Sequence, residues 1–180
     1  MLRSLARGRG RTRRLSSVYF DTPRLDLKAA GAALRIGQID RRRVQTVKLP
    51  VDGQPGLQAF REIEVDVADD VPDLTRVQDE AMNAHLSDRG IGADLSPVFA
   101  TEFRRTVWPI TLQESEIEVA FDVGEIRANE RRMSISEVDL ELKSGNAARL
   151  TELALALHRE VPVAWEYDTK AVRGYRLAAD

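Results

Sequence analysis

The sequence contains no cysteine, so disulfide scaffolds, thiolate zinc sites and cysteine nucleophiles are excluded. Histidine is nearly as scarce, with only His85 and His158, which excludes a metal site built from several imidazoles. No apolar run approaches the ~20 residues of a membrane-spanning helix. Lysine is rare as well: Lys28, Lys48, Lys143 and Lys170 stand against 23 arginines. That bias fits a GC-rich coding sequence and leaves each lysine conspicuous. There is no excess of one charge, since 27 Lys and Arg meet 29 Asp and Glu for a formal net charge of −2. Such a balance argues against a surface that grips nucleic acid as a whole. Repeats, low-complexity tracts and Pro/Ser linkers are missing too. What is there is 180 residues, 43% hydrophobic and 31% charged, enough for one domain with a real core. Its chemistry must rest on carboxylates, arginines and a few lysines, and the expected location is cytoplasmic.

Residues 1–14 are expected to be a basic leader, and residues 15–180 a single domain. The first 15 residues hold six arginines and no acid, a composition shared by transit peptides, nucleic-acid arms and plain solvated leaders. Strand-like runs follow at 15–20, 32–36, 44–49, 57–67, 98–108, 116–121 and 135–143. Asp21-Thr22-Pro23 reads as a helix start and Gly31 as its end. Asp40-Arg41-Arg42 and Asp52-Gly53-Gln54-Pro55-Gly56 sit where hairpin turns belong. Leu74, Val77, Ala81 and Leu86 keep helical spacing up to Gly90. Leu150, Leu153, Ala154 and Leu157 do the same between Asn146 and Pro162, and Asp168 stands where it would cap a last helix. The fold class is α+β, mostly antiparallel sheet with helices outside it.

Side chains alternate across a strand, and here the alternation sorts charge. Glu62, Glu64 and Asp66 oppose Ile63, Val65 and Val67. Glu116, Glu118 and Asp122 oppose Ile117, Val119 and Phe121. Glu137, Asp139, Glu141 and Lys143 oppose Val138, Leu140 and Leu142. One solvated sheet face produces such a pattern by itself. Yet these faces are nearly all carboxylate, and like charges on neighbouring strands repel unless cations sit among them. Carboxylates without His or Cys suit Mg²⁺ or Mn²⁺. Arg35, Lys48, Arg105, Lys170 and Arg173 supply the complementary charge, and together the two sets suit a polyanion carried with a divalent metal. Arg61 falls on the opposite face and is left out.

Ser17-Val18-Tyr19-Phe20-Asp21-Thr22-Pro23, Ala33-Leu34-Arg35-Ile36, Gln45-Thr46-Val47-Lys48-Leu49 and Glu62-Ile63-Glu64-Val65 resemble the CYTH domain, the triphosphate tunnel metalloenzyme family. Phe103-Arg104-Arg105-Thr106-Val107-Trp108, Glu118 to Ile126, Glu137 to Gly145 and Lys170-Ala171-Val172-Arg173-Gly174-Tyr175 continue the match in family order. The resemblance implies an antiparallel barrel of eight strands around a tunnel that takes triphosphates with Mg²⁺ or Mn²⁺. By matching motifs, Arg35, Lys48, Arg105 and Lys170 would bind phosphate. Glu62, Glu64, Asp122, Glu137, Asp139 and Glu141 would hold metal, Glu141 and Asp122 being the catalytic pair and Glu118 standing behind them.

The chain departs from the family pattern in three places. The family's opening Glu-x-Glu-x-Lys strand has no counterpart here, which predicts about seven strands and an open edge. A late start, a truncation, a binding module without turnover, or a strand donated by another chain each account for that. Gly37 stands where many members carry arginine, and Asp139 replaces a glutamate. The expected activity is hydrolysis of inorganic triphosphate to pyrophosphate and phosphate, in the manner of bacterial members of the family. The alternatives are a polyphosphate- or nucleotide-binding module and an adenylate cyclase-like or thiamine triphosphatase-like enzyme. The expected partner is a triphosphate-containing small molecule, with no nucleic acid or membrane, and a homodimer through the open edge.

Overall fold

The computed structural model describes residues 8–39, 42–51, 58–80, 83 and 94–179. Seven strands form one sheet in the order β4-β3-β2-β1-β5-β6-β7, the expected seven-stranded antiparallel architecture with a few helices. They are β1 (Arg11–Asp21), β2 (Ala33–Ile39), β3 (Arg42–Pro50), β4 (Phe60–Val67), β5 (Ser96–Leu112), β6 (Ser115–Ala128) and β7 (Arg131–Ser144). The helices are α1 (Asp26–Ala29), α2 (Ala148–Glu160) and α3 (Lys170–Ala179), with a 3-10 turn at Leu74–Arg76. No described helix is long and apolar enough to cross a membrane. β1 already begins at Arg11, inside the stretch read as a leader. The expected turns at 40–42 and 52–56 fall largely outside the described residues, as does most of the segment from 81 to 90.

Contacts divide the chain into two compact units. One comprises Leu15–Glu102, Ile126–Met133 and Asp168–Asp180. Here β1 to β4 run as a meander in which Phe20 pairs Leu34, Leu34 pairs Val47 and Val47 pairs Ile63. Cross-strand partners share a face, so this row is apolar. Leu27 of α1 and Val77 cover it in a core with Phe20, Leu34, Ile36 and Val47. Of the helix expected over Leu74–Leu86, the first residues are a 3-10 turn at Leu74–Arg76, because its entry is tied down, and helical backbone is described at Glu80 and Asn83. The buried Gln45 amide donates to Asp73 O at 2.9 Å and accepts from Asp73 N at 2.7 Å, and Val77 leaves the turn extended to enter the core.

Asp21 ends β1 with no solvent exposure. Its Oδ1 accepts from Thr22 N at 2.7 Å and Leu27 N at 2.9 Å, and its Oδ2 from Lys28 N at 3.0 Å and Tyr175 Oη at 2.8 Å. The helix start expected at Asp21-Thr22-Pro23 lies further on, at Asp26, with Leu25 at the cap position, and Asp21 instead holds the Leu27 and Lys28 amides of α1 from across a turn. Gly31 follows α1 with φ +68°, the left-handed conformation that glycine adopts without penalty. In α3, Thr169 rather than Asp168 makes the cap: its Oγ1 accepts from Val172 N at 3.2 Å, while Asp168 pairs with Arg176.

α3 packs Tyr175 edge-on against Phe99, ring centroids 5.2 Å apart, and Phe99 stacks on Tyr19 at 4.4 Å. A side chain at Gly174 would strike the Phe99 ring at 2.2 Å, so glycine is what lets the helix come this close. Burial first, then the Asp21 hydrogen bond and charge, hold the Tyr175 phenol above its ordinary range. A phenol kept neutral when folded, and ionising at about pH 10 when unfolded, contributes stability below that pH which is lost as pH rises. Tyr175→Phe should therefore flatten the decline of the urea midpoint above about pH 10. Equal slopes in the two proteins would contradict this.

The other unit comprises Met1–Arg14, Phe103–Glu125 and Ser134–Tyr167. Ile110, Ile117, Val119, Leu153 and Leu157 form its core, with α2 supplying the two leucines at helical spacing. α2 ends at Glu160, before Pro162, as the sequence predicts. The link from β5 to β6 places Gln113 and Glu114 at φ 46° and 65°, the pair of left-handed residues of a tight hairpin. Gly145 closes β7 at φ +97°, where a Cβ would lie 2.5 Å from Ser115 Oγ.

β6 departs from simple apolar-in, polar-out alternation. Ile117 and Val119 are buried, but Phe121 is 38% exposed and Asp122 is 0% exposed. The α2 core takes Ile117 and Val119 and stops short of Phe121. Beyond that point the carboxylate face is the enclosed one.

Candidate functional site

In the β1–β4 unit, the ladder puts polar residues into register on the face opposite the core. Tyr19 pairs Arg35, Arg35 pairs Thr46 and Thr46 pairs Glu64 in one row. Ala33 pairs Lys48 and Lys48 pairs Glu62 in the next. Lys48 Nζ lies 2.7 Å from Glu62 Oε2, and Arg35 Nη2 lies 3.8 Å from Glu62 Oε1. Thr46 Oγ1 donates to Glu64 Oε1 at 3.3 Å. The half-buried Arg35 keeps a buried Nε with no hydrogen-bond partner among the described residues. A buried guanidinium donor left over from internal pairing is poised for an external acceptor.

Gly37 belongs to the same face, paired with Ser17 and Val44. A Cβ there would lie 3.0 Å from Ser17 Oγ, so Ser17 occupies the space that a larger residue would need. Lys170 opens α3 and is half-buried, one turn before Arg173.

In the second unit, Arg105 of β5 reaches carboxylates on two other strands. Its Nε donates to Asp122 Oδ1 at 2.8 Å and its Nη2 to Asp122 Oδ2 at 2.7 Å. Nη2 also donates to Asp139 Oδ2 at 2.8 Å. Burial opposes the guanidinium's charge. The Asp122 hydrogen bonds and the charges of Asp122, Asp139 and Glu118 outweigh it and raise the Arg105 pKa above its ordinary value. Oxygens of Asp122, Glu137 and Asp139 lie within 4.8 Å of one another. Three carboxylates on adjacent strands, without nitrogen or sulfur, form a donor set that fits Mg²⁺ or Mn²⁺.

The structure thus brings together Arg105, Asp122, Glu137 and Asp139 in one unit, and Arg35, Lys48, Glu62 and Glu64 in the other. Glu141 lies outside the trio: its side chain is 62% exposed and its Oε1 is 2.8 Å from Lys143 Nζ. The sequence reading sorted cations to phosphate and carboxylates to metal, and missed that the two sets pair with each other. It also gave Asp21 no role beyond capping. Its position within the Tyr-Phe-Asp-Thr motif was the available signal.

Comparison with known proteins gives the family and the fold. The model of the CYTH domain matches residues 3–175. An inorganic triphosphatase of Haemophilus influenzae is 34% identical over 172 residues, covering 92% of this chain and 46% of that protein. The chain thus spans about half the length of that curated relative. The Hippeastrum protein HpAC1, for which a dominant triphosphatase activity is named, superposes with a TM-score of 0.59 at 16% identity, over 97% of this chain and 87% of its own. The PH1819 protein of Pyrococcus horikoshii gives 0.54 at 18% identity, over 96% of this chain and 88% of its own. At these identities the two structures speak for the fold.

Proposed function

The chain belongs to the CYTH domain family, and from that premise we propose that it hydrolyses inorganic triphosphate to pyrophosphate and phosphate with Mg²⁺ or Mn²⁺. The observation that carries this reading is the contact between guanidinium and carboxylate in Arg105, Asp122 and Asp139, beside Glu137. The 34% identity to an inorganic triphosphatase points to the same substrate.

On this reading Asp122, Glu137 and Asp139 would hold a divalent ion, with Glu141 at the margin. The ion supplies Lewis-acid neutralisation of phosphoryl oxygens and a more acidic water. The chain's own residues bind and orient the anion. In its own unit Arg105 offers a planar fork that matches two phosphate oxygens, and in the other unit Arg35 offers the same fork while Lys48 and Lys170 add point charge. Phosphoryl transfer depends mainly on such positioning and charge stabilisation, since charge spreads over the equatorial oxygens of the transferred group. Arg35 Nε, already buried and without an acceptor among the described residues, gives up little on donating to a phosphate oxygen.

The test is phosphate release from tripolyphosphate by this chain with Mg²⁺ and then Mn²⁺. Lys48→Ala is expected to lower turnover roughly 10²–10³-fold, the scale for loss of one charge-stabilising donor. A folded chain without turnover, but stabilised against heat by tripolyphosphate plus metal, would replace hydrolysis with binding.

A further inference from the structure

The carboxylates proposed to hold metal are already bonded to a cation of the protein's own. Both oxygens of the wholly buried Asp122 accept from Arg105, and so does Oδ2 of Asp139. Glu137 presents its oxygen within the same 4.8 Å cluster. A guanidinium and a divalent ion placed against these oxygens would be like charges at contact distance in a partly enclosed site, where repulsion is weakly screened. The oxygens are therefore contested. The guanidinium is also the group best able to change partner, because the fork that fits a carboxylate in two places fits a phosphate in the same way.

We propose that Arg105 is the internal counter-ion of the Asp122–Glu137–Asp139 trio and exchanges partners during binding. When a divalent ion takes the carboxylate oxygens, Arg105 releases Asp139 and loosens from Asp122, and its fork turns to the phosphate oxygens of the accompanying anion. Each ligand then favours the other through one side chain. Metal frees the guanidinium for phosphate, and phosphate draws the guanidinium away from the metal's oxygens. Such coupling is reciprocal by thermodynamic necessity. The inference rests on the reading of the trio as metal ligands and adds an order to it: Arg105 opposes the bare cation and assists the cation that arrives with triphosphate.

Metal binding without any phosphate provides the test. Arg105→Met removes the charge and keeps an unbranched side chain, and it is expected to bind Mn²⁺ alone about tenfold more tightly than the unaltered chain, by calorimetry. The same variant should lose most of the mutual enhancement between Mn²⁺ and tripolyphosphate, on the scale of a typical coupling of roughly 5–150-fold. A folded variant with equal or weaker Mn²⁺ affinity would overturn the proposal.

The unaltered protein gives a second readout that needs no variant to fold. In ¹H–¹⁵N spectra the Arg105 Nε–H, assigned by its loss in Arg105→Lys, should shift on titration with Mg²⁺ alone. Mg²⁺ binding that leaves it unmoved would sink the exchange while sparing the metal site. If Asp139→Asn left Mn²⁺ affinity unchanged, the metal reading would fail first, and the exchange with it.

Discussion

Asp122→Asn is expected to cut phosphate release from tripolyphosphate by about two to three orders of magnitude, the scale reached when one preorganised charge contact is removed. The substitution preserves shape, so what it changes is chemistry. Both Asp122 oxygens now accept from Arg105, whereas an amide presents an NH₂ to one of those two donors. A donor then faces a donor in a site with no solvent exposure, and one of the three carboxylates proposed for metal is gone. Arg105 keeps its bond to Asp139, so the loss of stability should be near the lower end of the ~3–5 kcal/mol for breaking a buried ion pair. Steady-state phosphate release and urea unfolding, measured on the same preparation, separate the two effects. Activity within about threefold of the parent, against the expected 10²–10³, would remove Asp122 from the machinery.

Asp21→Ala is expected to have the largest effect on stability, a loss of about 3–5 kcal/mol, the range for stripping one partner from a buried charged network. One carboxylate serves four donors: the backbone amides of Thr22, Leu27 and Lys28 and the Tyr175 hydroxyl. Removing it leaves three N–H groups and a phenol that the surrounding core cannot satisfy, at a point where α1 is held and α3 is tethered. Tyr175→Phe removes only one of these bonds and should cost about 1 kcal/mol, the net worth of a single hydrogen bond. The two changes share that bond, so their double mutant should be less unstable than the sum of the singles. Urea midpoints for the three variants check the set. A loss below about 1 kcal/mol for Asp21→Ala would mean that water replaces the carboxylate.

Much of the architecture was legible in the residues because alternation and helical spacing are local properties. The alternating runs of Glu62–Val67 and Glu137–Lys143 mark strands with one charged face, and β4 and β7 appear where those runs lie. The apolar spacing of Leu150, Leu153 and Leu157 likewise marks α2, whose buried residues are Leu153 and Leu157. The 3-10 turn at Leu74 was not legible, because the amide that ties it down comes from Gln45 on a different strand. The reversal of burial along β6 was hidden for a similar reason. Period-2 patterning says which residues share a face, but the extent of α2 decides how far Ile117, Val119 and Phe121 are covered.

By itself, the sequence determined the α+β class, the strand faces and the kinds of charge they carry, since each follows from residues a few positions apart. Tertiary structure alone decided who meets whom. Lys48 lies against Glu62 through the register of β3 and β4. Arg105 lies against Asp122 and Asp139, 17 and 34 residues away, and Asp21 against Tyr175, 154 residues away. Strand order and register minimise the free energy of the whole chain, so no short window of sequence contains them. That is why a list of cations and a list of carboxylates could be read from the sequence, while their pairing with one another required the fold.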